Sequence, residues 1–283
     1  LRVTSANPAG GSSAHDNVSI SVCGAVALDA LESVFAVING SLDGPYVEGW
    51  GDPEGIRKEM AVVRAEVTRR VFHAQEKPTG SSPRAQWLTE DAVRRAILRQ
   101  LAASVEGDEI VILMFYLSDR GVIREIVRAA ESGANIRVIL DVNRDAFGRE
   151  KIGIPNRPVA GELEAAGRRL GGRIQVRWAE THGEQFHIKA MAIRNSSRSR
   201  QALLAGSANW TRRNLRNLNL EANLLLENSP DVVQKTFETF DRLWNNDGAI
   251  YTTDFNRHAE TGWTRLWKTA LGRFQEATGA GSF

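Results

Sequence analysis

Glu109-Ile-Val-Ile-Leu-Met-Phe-Tyr-Leu117 is apolar at every position after the first. A run of that length and composition suits a β-strand buried on both faces. Helical spacing follows over 119–132, with Val122, Ile126 and Ala129-Ala130 on one side and Gly133 as a stop. Ile136-Arg-Val-Ile-Leu140 is the next strand-like run. Strand, helix, strand at this spacing indicates an α/β domain.

The alternation extends in both directions. Upstream, Thr89 is an N-cap for a helix to about Val105, with Val93, Ile97 and Leu101 on one face. Downstream, Asp141 to Pro158 reads as a polar loop and 159–170 as a helix. Strands are expected at 173–178, 186–193, 202–206 and 218–226, and a closing helix at 230–244. The expected fold is a mixed sheet flanked by helices on both faces, an α-β-α sandwich.

Part of this pattern occurs twice. Shifted by 202 positions, Ser5-Ala-Asn7 falls on Ser207-Ala-Asn209, Asn17 on Asn219, Asp29 on Asp231 and Phe35 on Phe237, without a gap. A gapless register with matching element order is the mark of duplication. The expected organisation is therefore a pseudo-twofold pair whose first copy is incomplete. Residues 1–40 are its C-terminal remnant, 41–84 a connecting segment and linker, 85–250 the complete second domain, and 251–283 a C-terminal amphipathic helix. Residues 58–76 fit helix or strand, and Lys77-Pro-Thr-Gly-Ser-Ser-Pro83 is the interdomain linker. A whole first copy would need on the order of 120 further residues before Leu1.

The totals fit a globular protein. The 283 residues are 42% hydrophobic and 25% charged, with a net charge of +2. Such mild basicity neither demands nor excludes a phosphate-rich partner. The single cysteine, Cys23, excludes an intramolecular disulfide and a Cys-based zinc site. It lies in the alternating run Val18-Ser-Ile-Ser-Val-Cys23 and is expected to be a buried, inert thiol. No apolar run reaches the ~20 residues of a membrane span.

The chemistry lies in His187-Ile-Lys189, Gly206-Ser-Ala-Asn209 and Glu221. In an extended segment positions i and i+2 share a face, so His187 and Lys189 both point into a cleft and Ile188 into the core. Imidazole serves as base in one step and acid in the next because its reference pKa is near 6.5. Lys189 offsets phosphoryl charge, and Ser207 and Asn209 donate hydrogen bonds to phosphoryl oxygens. Glu221 is a carboxylate 12 residues past Asn209. Its counterpart in the first copy is Ser19, so the two half-sites are not equivalent. Tyr116, Asp141 and Asn143 lie at strand ends, where α/β proteins hold ligands, and are substrate-binding candidates.

His187-x-Lys189 with Gly206-Ser-x-Asn209 resembles the HKD motif of the phospholipase D superfamily. Phe115-Tyr-Leu-Ser-Asp-Arg120, Leu140-Asp-Val-Asn-Arg-Asp-Ala-Phe-Gly148 and Gly183-Glu-Gln-Phe-His187 are similar to its bacterial phospholipase D-like and cardiolipin synthase-like branch. The resemblance implies two HKD domains around one shared site. One histidine attacks phosphorus and becomes phosphohistidine, while the other protonates the leaving alcohol and then activates water or an acceptor alcohol. It implies no metal and no cofactor. His187, in the second motif, would be the general acid/base, Glu221 would match the carboxylate that orients its imidazole through Nδ1, and Ser5 and Asn7 would be remnants of the first motif.

The sequence departs from that pattern in two places. Arg194 stands where the motif aspartate is expected, and no His-x-Lys precedes Thr4. His15 lies after Asn7 and so cannot fill that place by register. The expected partners are a phospholipid or other phosphodiester and a missing N-terminal half of the same protein. The expected location is the bacterial cytoplasm or the membrane periphery. The alternatives are an HKD-type nuclease, which the arginines between Arg194 and Arg216 would permit, and a non-catalytic scaffold.

In the C-terminal stretch, Trp263, Trp267, Leu271 and Phe274 alternate with Arg265, Lys268 and Arg273. Two readings stand: an aromatic face that covers the domain, or peripheral membrane contact through 257–276.

Overall fold

The computed structural model of the chain describes residues 1–5, 15–45, 51–73, 82–142 and 151–278. An eight-stranded mixed sheet forms its centre. Its core is three parallel strands, β4 (Glu109–Met114), β5 (Asn135–Leu140) and β6 (Ile174–Ala179). Beside β4 run β7 (Lys189–Asn195), β8 (Arg200–Gly206) and β9 (Ala222–Glu227), each antiparallel to its neighbour. The antiparallel edges are β3 (Arg84–Thr89) on β9 and β10 (Thr252–Asp254) on β6.

Period-two alternation divides the apolar residues between two layers. Ile110, Ile112 and Met114 join one core beneath α3 (Asp91–Ala102), α4 (Arg120–Glu131) and α5 (Asn156–Arg169). Val111 and Leu113 join the other, beneath α7 (Pro230–Asn245). The expected sandwich is therefore the observed fold. Gly133 ends α4 at φ 100°, where an added Cβ would lie 2.9 Å from Glu106.

The first-copy segment packs on this second layer. A two-stranded sheet of β1 (Arg2–Thr4) and β2 (Ser19–Ser21) leads into α1 (Val26–Leu42). Val3, Ile20 and Val26 share a core with Phe186, Ala190 and Leu203. Trp87 Nε1 of β3 donates to Ser33 Oγ of α1 at 2.8 Å. The described part of the ambiguous stretch, 58–73, is helical, within α2 (Pro53–His73), and α1 and α2 pack together. Most of the expected linker lies outside the described residues.

Several expectations are corrected. Cys23 is exposed, because Ser19, Ser21 and Cys23 share the outward face of the run while Ile20 points inward. It lines an apolar cleft of about 610 Å³ between β2 and α7, with Ile188 and Ala190 on the opposite wall. Thr89 ends β3 rather than capping a helix, and α5 starts at Asn156 rather than 159. The strand expected from 218 starts at Ala222, after Asn217 turns in the left-handed region at φ 59°.

The C-terminal helix α8 (Gly262–Thr278) lies against α5 with its aromatic residues outward, not over the domain. Its inward side is ionic. Buried Lys268 pairs with Glu260, and buried Glu276 accepts from Ser118 Oγ at 2.6 Å and Arg212 N at 2.7 Å. These bonds hold the charged face against the domain, so the apolar face has no place to turn but outward.

Candidate active site

The motif residues converge where β4, β7 and β8 leave the sheet. Met114 pairs with Lys189, and Ala190 with Ala205, so Lys189 and Gly206 stand at adjacent strand ends. Gly206 meets a close backbone: a Cβ there would lie 2.3 Å from Ala222 O and 2.6 Å from Asn223 Cα. The following turn is laced to the end of β4. Trp210 N donates to Tyr116 O at 2.9 Å, and Ser118 N and Asp119 N both donate to Trp210 O at 2.8 Å. Asn156 closes the other side. Its Nδ2 donates to Phe115 O at 2.6 Å and Asp141 O at 2.7 Å, and its Oδ1 accepts from Leu117 N at 3.0 Å.

His187 and Lys189 both approach the Phe115 ring. The imidazole centroid is 5.0 Å from it, and Lys189 Nζ lies 5.0 Å over it. Phe115 N donates to Ile188 O at 3.0 Å, and Ile188 packs on the second core layer. The alternation expected from His-x-Lys is thus present. Lys189 is 1% exposed, and its ammonium donates to His187 O at 2.7 Å. Burial holds its pKa well below the usual lysine range, while Glu221 and Asp141 pull it back upward.

The imidazole lies against the N-terminal segment. His187 Nδ1 is 3.2 Å from Asn17 Oδ1, in the first-copy segment. The Asn17 amide is oriented by its own bonds: Nδ2 donates to His15 O at 2.8 Å, and Oδ1 accepts from Ser5 Oγ at 3.2 Å. Burial pushes the His187 pKa down to about 3, helped by Lys189 and by His15, and a hydrogen bond with the Ser5 backbone opposes the shift. The His15 ring centroid is 6.2 Å away, and its Nδ1 accepts from Gln185 N at 3.2 Å.

Glu221 does not take the expected role at Nδ1. It accepts from Ser207 Oγ at 2.5 Å and from Asn214 Nδ2, and these bonds occupy the carboxylate at the start of β9. An amide from the other copy, rather than a carboxylate from the same one, faces the ring. Ser207 is thereby tied to Glu221 and also accepts from Ala222 N at 3.0 Å. Asn209 Oδ1 is buried without a hydrogen-bond partner among the described residues, a state usually relieved by a ligand or water.

The remaining candidates divide. Tyr116 is buried and stacks on Phe115 at 3.9 Å. Asp141 is buried and accepts from Phe186 N at 2.9 Å, a bond that fixes the chain just before His187. Both are thus placed beside His187 and Lys189 at the strand ends. Asn7 and Asn143 lie outside the described residues. Arg194 pairs with Glu109 at 2.8 Å across the β4–β7 ladder and covers the Phe237 ring at 4.0 Å, so it replaces the motif carboxylate with a structural cation. Asn17, Asn156 and Asn214 carried no motif signal. Asn17 was marked only by its register with Asn219.

Residues 97–244, just over half of the chain, match the family model described as the PLD-like domain of cardiolipin synthase. The chain belongs to the phospholipase D-like family. Phosphatidylserine synthase from Haemophilus influenzae Rd KW20 aligns with a TM-score of 0.50 at 15% identity, covering 81% of this chain and 54% of its own. The phospholipase D-like chain thus spans about half of that synthase. The phospholipase D family member Nuc from Salmonella typhimurium aligns at TM-score 0.45 and 17% identity, over 58% of this chain and 95% of its own. NucT from Helicobacter pylori aligns at 0.43 and 14%, over 57% and 95%. No curated protein matches the chain.

Proposed function

We propose that the chain supplies one half of a two-histidine phosphodiesterase or phosphatidyltransferase site acting on phospholipids, with His187 as general acid/base. The supporting observation is the position of His187: buried on the seam between two related segments, with Nδ1 against Asn17 Oδ1. That contact keeps the proton on Nδ1 and leaves Nε2 to exchange one with substrate.

In this reading the other motif's imidazole attacks phosphorus. A P–N bond forms, the P–O bond to the leaving alcohol breaks, and Nε2 of His187 hands that oxygen its proton. Water or an acceptor alcohol then gives its proton to His187, attacks phosphorus and releases the first imidazole. The downward-shifted pKa of His187 belongs to a cleft without a phosphate; an anionic diester beside the ring raises it. Lys189 offsets the phosphoryl charge and the Asn209 amide donates to a phosphoryl oxygen, while Ser207, whose one hydroxyl proton goes to Glu221, holds the turn that carries them.

The arginines that would favour a nuclease are largely occupied. Arg194 pairs with Glu109, Arg200 with Asp108 and Arg216 with Asp119. That, together with the cardiolipin synthase family match, favours lipid over nucleic acid.

The sequence holds one His-x-Lys, and the reaction uses two. The 283 residues alone should turn over a chromogenic phosphodiester feebly, and adding a segment that carries a first-motif His-x-Lys should restore the rate. Equal, strong turnover in both preparations rejects the shared site. Inhibition of that turnover by single-stranded DNA but not by anionic liposomes rejects the lipid preference.

A further inference from the structure

From the outward face of α8 we infer that the protein docks peripherally on an anionic lipid surface through Trp263, Leu266, Trp267 and Phe274. These residues fall at i, i+3, i+4 and i+11, one stripe of the helix. Trp263 is 84% exposed, Leu266 62% and Phe274 61%. A helix on the surface of a globular protein normally presents such a stripe to the core. Here the reverse holds, and the buried Lys268 and Glu276 show that the orientation is built in.

Charge identifies the occupant. Between α8 and the helices α4 and α5 runs a groove of about 1020 Å³ that includes Leu266. Five arginines line it, Arg124, Arg128, Arg169, Arg265 and Arg273, against two carboxylates, Glu131 and Glu162. Glu162 is already held by two bonds from Arg120, at 2.7 and 2.8 Å, with Arg273 at 3.9 Å, and Arg128 pairs with Glu125 at 2.7 Å, so the cationic excess rests chiefly on Arg124, Arg169 and Arg265. An apolar stripe beside a cationic groove matches the two zones of an anionic bilayer surface, acyl chains and phosphate headgroups. A nucleic acid would require aromatic rings set within the basic groove, for bases to stack while phosphates are held. Trp263, Trp267 and Phe274 are not among the residues lining it.

This docking is separate from the chemistry at His187, and so is its test. The 283-residue chain is sedimented with liposomes of phosphatidylcholine alone or mixed with phosphatidylglycerol. Binding should be about tenfold or more tighter to the anionic liposomes and should weaken as salt rises. Trp263→Ala should weaken it, and Trp263→Ala combined with Leu266→Ala and Phe274→Ala should weaken it by about tenfold or more. Arg265→Gln with Arg273→Gln should do the same and flatten the salt dependence. All these side chains are exposed, so thermal unfolding should be unchanged.

Absence of wild-type binding to anionic liposomes overturns the inference, as does equal binding by the variants. It also fails if the stripe variants instead dissociate a dimer of this chain, or lose single-stranded DNA, with no liposome binding in the wild type. Turnover of a soluble diester, in a preparation with both motifs, should be the same in every α8 variant. Failure of the catalytic reading would appear in that assay and not in sedimentation.

Discussion

Asn17 is the side chain that faces Nδ1 of His187. An amide fixes the tautomer of the ring but adds no negative charge, so burial and Lys189 prevail and the pKa sits at about 3. Asn17→Asp should raise it toward the ordinary value near 6.5. NMR titration of the His187 ring checks this, and an unchanged value would remove Asn17 as the Nδ1 partner. The same shift makes stability depend on pH. Between about 3 and the unfolded value near 6.5 the unfolded chain binds the proton and the folded chain does not. Folding stability from this group is therefore complete above pH ~6.5 and declines as pH falls through that window. Urea unfolding at pH 7.5 and pH 4.5 should show a smaller difference in His187→Gln than in wild type. Lys189→Met should fold with an equal or higher melting temperature, since burial disfavours the cation, while kcat falls by about 10²-fold or more where both motifs are present. His187, Lys189, Ser207 and Asn209 were legible because a motif names them. Asn17 was not, because its role comes from packing between segments separated by 170 positions.

At the scale of elements, the turn after β4 carries more of the site than its sequence suggests. Asn156 satisfies Leu117 N, Phe115 O and Asp141 O together. Asn156→Leu would orphan all three in a dry interior. The expected loss is about 3 kcal/mol or more in urea unfolding, since each orphaned group typically costs ~1–3 kcal/mol and such losses do not simply add. Gly206→Ala should cost a similar amount, about 3 kcal/mol, because Ala222 and Asn223 backbone would have to move. A near-wild-type unfolding midpoint for either variant would show that these strand ends are looser than drawn. The central elements were readable because their apolar periodicity is local: β4, α4 and β5 match the runs from which they were inferred. The edges were not. β3 is recognisable only by its pairing with β9, far along the chain, and β10 is three residues long. The orientation of α8 was open for a similar reason: spacing defines a stripe, but the partners of Lys268 and Glu276 decide which side faces out.

At the scale of the molecule, the first-copy segment is held to the second domain by shared core residues, the Trp87–Ser33 bond and the bridge between Asp16 and Phe186. Glu276 adds a second connection. It joins α8 to Ser118 and Arg212, on either side of the turn that carries Trp210. A perturbation of α8 from within, such as Glu276→Ala, should therefore reach the motif turn, and amide hydrogen exchange at 208–212 should quicken. Unchanged exchange there would show that the tie carries no strain between the two places. The duplication was legible as a register of identities. The contact of Asn17 with His187 was not, because a register of identities says nothing about which segments touch.

The lone thiol offers a practical consequence. Cys23 is exposed on the rim of the cleft whose far wall includes Ile188, one residue from the imidazole. A dye attached there by maleimide chemistry has one point of attachment in the whole chain and would sense crowding of that cavity. Its emission would report a molecule entering that cleft in real time, without turnover.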